Sequence, residues 1–303
     1  MKITKPDYFD DFKCLMGACK SSCCSAGWNI DVDCKSLERY SNLGKDFADI
    51  TTYTEIKDGK HCFKLNEKGV CPFFRNDGLC DLVVKHGNIL CDVCRDYPRF
   101  FNRLTGALEI GLGTDCEGVV QIVLNHKNKI EFVSKGTQSK TNKNEQLQLE
   151  LRKKIFDIVQ NRKQGFCARI SNLFELFGIK KLFDNGIVSV LQNFEWLNFD
   201  GSAFVKYFAK NSFDCNFNLE DYKVENLIVC FVYRYFANKN ILASDRAKIM
   251  FCVFMTYCCD KMQKIYGYES EVDAIKTICR QIEGSNINIG LLLDYFETFA
   301  KNQ

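Results

Sequence analysis

Histidine is scarce in this chain. Three residues in 303 (His61, His86 and His126), none spaced with another, leave thiolate and not imidazole chemistry for any metal. Long apolar runs are missing as well. The most apolar one, Ile249 to Cys259, is far shorter than the roughly 20 residues a membrane span needs and is flanked by charge, so it reads as a buried helix with no membrane association. Nor does one sign of charge dominate. The 41 Lys and Arg against 38 Asp and Glu give a pI near 8.0, a balance that demands no nucleic-acid partner. The opening MKITKPDYFDDF has two lysines but no following apolar stretch or small-residue cleavage site. It does not read as a secretory signal, and the expected compartment is the cytoplasm.

What the chain has in excess is cysteine, 18 residues. In a reducing compartment disulfides do not account for so many thiols, and metal becomes the leading explanation. Sulfur ligands favour zinc or iron–sulfur clusters. Eleven of the cysteines fall in the first 116 residues, together with all three prolines, in a region of turns with short apolar pieces such as LEIGLGT and KIEFVS that suit strands of a small sheet.

From about residue 147 the apolar period becomes helical. In GFCARISNLFELFG the residues Phe166, Ile170, Leu173, Phe174 and Phe177 recur at three and four, and Gly178 stands where a helix would end. KVENLIVCFVYRYFANKN repeats the pattern, and the run from Ser244, a good N-cap, carries another helix. EVDAIKTICRQIEG and GLLLDYFETFA supply two more, and no fixed-length repeat suggests a solenoid. The expected fold is mainly α. An irregular cysteine-rich metal-binding module with minor β spans residues 1–133, a polar linker 134–146, and a helical domain 147–303. The later cysteines (Cys167, Cys215, Cys230, Cys252, Cys258, Cys259, Cys279) sit mostly on apolar helical stretches and are assigned to the core, where cysteine packs as a small hydrophobe.

The early cysteines come in close-spaced groups separated by turn residues. They are C-x4-C-x3-C-C (Cys14, Cys19, Cys23, Cys24), C-x8-C (Cys71, Cys80), C-x2-C (Cys91, Cys94) and the single Cys116. A C-x2-C turn lets backbone amides point at sulfur while both thiolates reach one metal. Adjacent residues of an extended segment project to opposite sides. Cys23 and Cys24 therefore either serve two centres, or one ligates while the other packs beneath. The nine candidates suffice for two four-thiolate centres or for one with bystanders, and four thiolates hold either zinc or [4Fe-4S]. Cys34 and Cys62 lack a close partner and are read as structural.

The ordered motifs C-x4-C-x3-C-C-x3-W-x-I, CPFF followed by DGLC, CRDYPR, and a lone cysteine before Glu span residues 8–117. They resemble the flagellin lysine-N-methylase family, within a broader group of zinc- or iron-chelating proteins with CxxCxxCC-type motifs. VENLIVCFVYRYF extends the likeness into the second half. The resemblance implies a bacterial cytoplasmic enzyme that contains an iron–sulfur cluster and uses S-adenosylmethionine to methylate lysine side chains of flagellin. Membership of the broader group alone leaves a second reading, a non-enzymatic zinc or iron–sulfur module with a helical partner-binding domain. The resemblance also implies a looser position for Cys91 than for Cys94, which makes Cys91 the weakest of the ligand candidates.

Methyl transfer from a sulfonium to an amine is an in-line displacement that first needs placement of its reactants. Aromatic faces hold cations, which makes Trp28 and Tyr97 candidate walls of a cofactor site, with a plug for the metal module as the other role of Trp28. Asp31, preferred over Asp33, suits the cofactor's amino group, and Arg99 in CRDYPR suits its carboxylate or an acidic residue of the substrate. No residue is singled out as the proton acceptor. GLGTD at 111–115 lacks the strand, glycine loop, helix and following acidic residue of a dinucleotide fold. Cys91 and Cys94 lack the βαβ setting of a thioredoxin-like pair. The radical-type loop C-x3-C-x2-C is not matched either, so the chemistry expected is polar methyl transfer with the cluster in a structural or cofactor-positioning role, and radical chemistry is the lesser alternative.

Overall fold

The computed structural model describes residues 1–43, 52–57, 59–87 and 89–303. Among the described residues there are twelve α-helices, which take in about half of the chain, and a small mixed sheet, so the fold is mainly α. It forms two compact units. One comprises residues 1–12, 99–196 and 200–303; the other comprises residues 13–98 with 197–199.

The first unit holds a four-stranded sheet in the order β4-β5-β1-β6. Strand β1 (Lys2–Pro6) runs parallel to β5 (Ala107–Leu112) and antiparallel to β6 (Phe132–Lys135). A hairpin turning at Gly106 joins β4 (Arg99–Leu104) to β5. The chain thus leaves the sheet after β1, builds residues 13–98 of the second unit, and re-enters at β4. The predicted strand pieces LEIGLGT and KIEFVS correspond to β5 and β6. The polar stretch 134–146, placed as a linker by composition, lies inside this unit. Its first residues complete β6, and its last begin α5 (Lys143–Val159), whose N-cap Asn142 accepts from the amides of Asn144 and Glu145.

Helix α4 (Glu117–Asn125) follows β5, and the remaining helices are α6 (Phe166–Phe177), α7 (Gly186–Gln192), α8 (Ser202–Lys210), α9 (Asp221–Tyr235), α10 (Asp245–Tyr266), α11 (Glu271–Glu283) and α12 (Asn286–Lys301). The ends read from sequence hold. Gly178 closes α6 in the left-handed conformation, at φ 64°, and Ser244 caps α10 by accepting from Ala247. Helix α10 is buried continuously from Ala247 to Met262, as its apolar run predicts. Two charges inside this unit are matched locally: Arg152 of α5 forks onto Glu109 of β5, and Arg169 of α6 reaches Glu225 of α9 at 2.6 Å. Cys230, Cys252, Cys258, Cys259 and Cys279 are buried as expected, whereas Cys167 is exposed and Cys215 half-buried. The core assignment fails for those two because Cys167 faces away from the apolar stripe of α6 and Cys215 sits on an irregular segment.

The second unit is built from short helices α1 (Cys34–Ser41), α2 (Asp81–His86) and α3 (Asp92–Asp96), and a ribbon of β2 (Thr54–Lys57) and β3 (Lys60–Phe63). Its small core contains Ile30, Val32, Tyr40, Phe63, Phe73 and Leu82 together with Cys71 and Cys91.

Candidate metal centre

Backbone turns bring the thiol-bearing segments of the second unit together. Gly17 lies against the 75–79 turn so closely that a Cβ on it would stand 2.8 Å from the Asp77 carbonyl oxygen. The Cys71 amide donates to the Cys24 carbonyl at 2.8 Å, and Phe74 bridges to Cys80 across the C-x8-C loop. Asp33 performs a third junction. Its carboxylate caps α1 through the Ser36 amide and hydroxyl and also accepts from the Asp92 amide at 3.0 Å. It therefore joins the start of α1 to the start of α3, where Cys91 is the N-cap residue. Burial pushes this carboxyl up, but the bonds from Asp92 and then Ser36 prevail and hold it down to about 2. Sequence reasoning set Asp33 aside in favour of Asp31; the signal for it was an Asp directly before a helical run, the usual N-cap pattern.

The result is a gathering of six thiols from four segments: Cys23 and Cys24, Cys71, Cys80, and Cys91 with Cys94. Cys24, Cys80 and Cys94 pack against the core that contains Cys71 and Cys91. Ionising one sulfur here would raise the others. Cys23 acts on Cys71, Cys80 and Cys94, Cys91 acts on Cys71 and Cys94, and Cys24 acts on Cys94. Burial pushes the Cys71 thiol up to about 12 and raises Cys80. Within the C-x2-C turn the Cys94 thiol hydrogen-bonds the Cys91 sulfur, which lowers Cys91, while the same bond and burial keep Cys94 protonated.

Amides point at the sulfurs as a metal knuckle requires. Phe73 donates to Cys71, Leu82 and Val83 donate to Cys80, and the Cys94 amide donates to Cys91. Such bonds stabilise thiolate, and a bound cation reverses the mutual repulsion that now favours thiol. In donor type, amide support and convergence these six cysteines therefore fit a thiolate-bound metal. Ligand geometry is a separate matter: among the described residues, no group of three or more His, Cys, Asp or Glu side chains is placed to hold a metal ion. The cysteines are gathered here as neighbouring thiols, with Cys94 hydrogen-bonded to Cys91, and not as a closed coordination shell.

The other three candidates differ in setting. Cys14 is exposed, with its sulfur accepting from the Met16 amide, and Cys19 donates to the Ser21 carbonyl. Cys116 belongs to the first unit, where it is the N-cap residue of α4. Of the two read as structural, Cys62 is buried and donates to Asp31, while Cys34 is exposed on the first turn of α1. Tyr40, which sequence reasoning missed, is fully buried, and burial first, with Cys91, Cys94 and Cys80 adding to it, raises its hydroxyl pKa.

The four cofactor candidates are split. Trp28 and Tyr97 meet with ring centroids 5.3 Å apart, and Trp28 packs on the small core, as a plug would. Asp31 forms an ion pair with Lys60 at 2.9 Å and lines a cleft of about 330 Å³ with Asp33, Cys34, His61 and the Asp92–Val93 step of the C-x2-C turn. Arg99 begins β4 in the first unit, its guanidinium over the rings of Phe9 and Phe12 at 5.9 and 5.4 Å. The structure thus brings Trp28 to Tyr97 and Asp31 to the thiol turn, and assigns Arg99 to the other unit's packing.

No family model, no curated protein and no solved structure matches this chain.

Proposed function

We propose that this is a metal–thiolate protein whose centre is held by cysteines of the second unit, drawn from Cys23, Cys24, Cys71, Cys80, Cys91 and Cys94. The observation that carries the reading is the convergence of these six thiols, with amide donors on three of the sulfurs. A [4Fe-4S] cluster is the first candidate and zinc the second, since four thiolates serve either.

Within that class the particular reading is an S-adenosylmethionine-dependent protein lysine N-methyltransferase acting on flagellin, which rests on the order of the cysteine motifs. The reaction would be polar. A neutral lysine Nζ attacks the sulfonium methyl, the new N–C bond forms as the S–C bond breaks, the thioether leaves, and the amine releases a proton. The Trp28–Tyr97 pair and the cleft beside Asp31 are the features of the second unit suited to a sulfonium and an ammonium.

The test is incubation of anaerobically purified protein with flagellin and methyl-labelled S-adenosylmethionine. Label in lysine supports the methylase. Metal-loaded protein that leaves flagellin unlabelled favours the non-enzymatic module.

A further inference from the structure

Residues 211–220, between α8 and α9, run along α6 in the opposite direction. Phe217 meets Phe166 edge-on at 5.3 Å, and Phe213 meets Phe174 at 5.8 Å. The same stretch is anchored to α10. Asp260 accepts the amides of Asn218 and Leu219 at 2.7 and 2.8 Å, and Lys261 donates to the Asn216 carbonyl. Between the two ring pairs stand Cys167 and Cys215. The Cys167 thiol donates to the Cys215 carbonyl, and the two side chains also hydrogen-bond each other. Ring contacts on either side bracket the two cysteines, whose side chains are within hydrogen-bond reach of each other.

Accessibility singles out this pair. Of the seven later cysteines, Cys230, Cys252, Cys258, Cys259 and Cys279 are buried, while Cys167 is exposed and Cys215 half-buried. Buried thiols are inert to bulky oxidants. Cys259 and Cys279 lie 3.6 Å apart, but that closeness is shielded from solvent.

We infer that Cys167 and Cys215 form a reversible disulfide on the helical unit, made and broken by exchange with low-molecular-weight disulfides and thiols of the glutathione type. The exposed Cys167 reacts first. Its thiolate attacks one sulfur of the small disulfide, so that a mixed disulfide forms, the oxidant's S–S bond breaks and one small thiol leaves. Cys215 then gives up its proton to solvent and attacks the Cys167 sulfur, releasing the second small thiol. Two protein thiols lose two electrons in total, and one small disulfide becomes two thiols. The bond ties the start of α6 to the segment before α9 and cross-links positions 48 residues apart, which restricts the unfolded chain. This site is independent of the proposed metal centre and of the proposed methyl transfer.

The test equilibrates the full chain in buffers of varied reduced-to-oxidised glutathione ratio, alkylates free thiols and digests without reduction. Cleavage at Lys163, Arg169, Lys210 and Lys223 isolates peptides 164–169 and 211–223, each with one cysteine. The expected product is these two peptides joined, rising with oxidised glutathione and lost again with excess thiol. Cys215→Ser should retain glutathione on Cys167, and Cys167→Ser should abolish uptake at Cys215. The inference is overturned if the unaltered chain keeps glutathione on Cys167 throughout, if either peptide joins another cysteine, or if both remain free thiols at every ratio.

Discussion

At the scale of single residues, Asp33 shows how a side chain outside the sulfur set shapes it. Its carboxylate is shared between the starts of α1 and α3, so Asp33→Ala removes a cap and leaves the Asp92 amide without that acceptor. A loss of about 1 kcal/mol is expected from the cap alone, read as a lower denaturant midpoint. Its pH dependence has a fixed sign. The folded value of about 2 lies below the ordinary 3.8, so the contribution is complete above about pH 4 and disappears as pH falls toward 2. Acid titration of stability should therefore show a steeper loss in that window for the unaltered chain than for Asp33→Ala.

Cys23 and Cys14 make a second comparison. Cys23 acts on three other sulfurs of the gathering, while Cys14 is exposed. Cys23→Ser should lose most of the bound metal and Cys14→Ser should retain it, as measured by elemental analysis of the purified variants. Spacing alone ranked the two equally, because it records which thiols are near in sequence and not which turns fold inward.

At the scale of elements, the helices were the most legible part of the chain. The period of Phe166, Ile170, Leu173 and Phe177 and the stop at Gly178 define α6 in sequence and in structure alike, because one apolar stripe and one left-handed glycine suffice to specify them. The sheet was less legible. KITKP shows weak alternation, and its pairing with β5 is a parallel contact between strands about a hundred residues apart, which no local pattern encodes. The boundary was misplaced for a related reason. The polar run 134–146 resembles a linker by composition, yet it is the surface turn from β6 into α5.

Buried charge joins the helices in a way that composition does not reveal. Glu225 of α9 is fully buried and accepts from Arg169 at 2.6 Å and Arg162 at 2.8 Å. Glu225→Ala would leave Arg169, itself 3% exposed, with only the largely exposed Asp221 as a charge partner and the Val159 carbonyl as an acceptor, and should cost about 3 kcal/mol. Arg162→Ala, at a position 35% exposed, should cost no more than about 1 kcal/mol because solvent screens it. Urea unfolding of the two variants checks the order.

At the scale of the whole molecule, the sequence separates thiols that sit in a core from thiols that gather around one another; the structure buries five of the seven later cysteines, leaves Cys167 exposed and Cys215 half-buried, and sets Cys71 and Cys91 of the early group in a small core of their own. Six of the nine candidate ligands share one electrostatic neighbourhood in the second unit, while Cys14 is exposed and Cys116 belongs to the first unit. The four proposed cofactor residues divide further, because CRDYPR straddles the border between units: Tyr97 stays with the thiols and Arg99 enters the sheet. A motif continuous in sequence was thus cut by the fold, and nothing in its composition marks the cut beyond Pro98.

The central claim is that this thiol gathering binds metal. The most direct test is to measure iron, zinc and acid-labile sulfide in the anaerobically purified chain and in Cys23→Ser, with circular dichroism on both to confirm folding. The account predicts metal at a whole-number ratio to the unaltered chain, with iron and sulfide together for a cluster or zinc alone for a zinc site, and its loss from the folded variant. A folded, unaltered chain free of all three would contradict it.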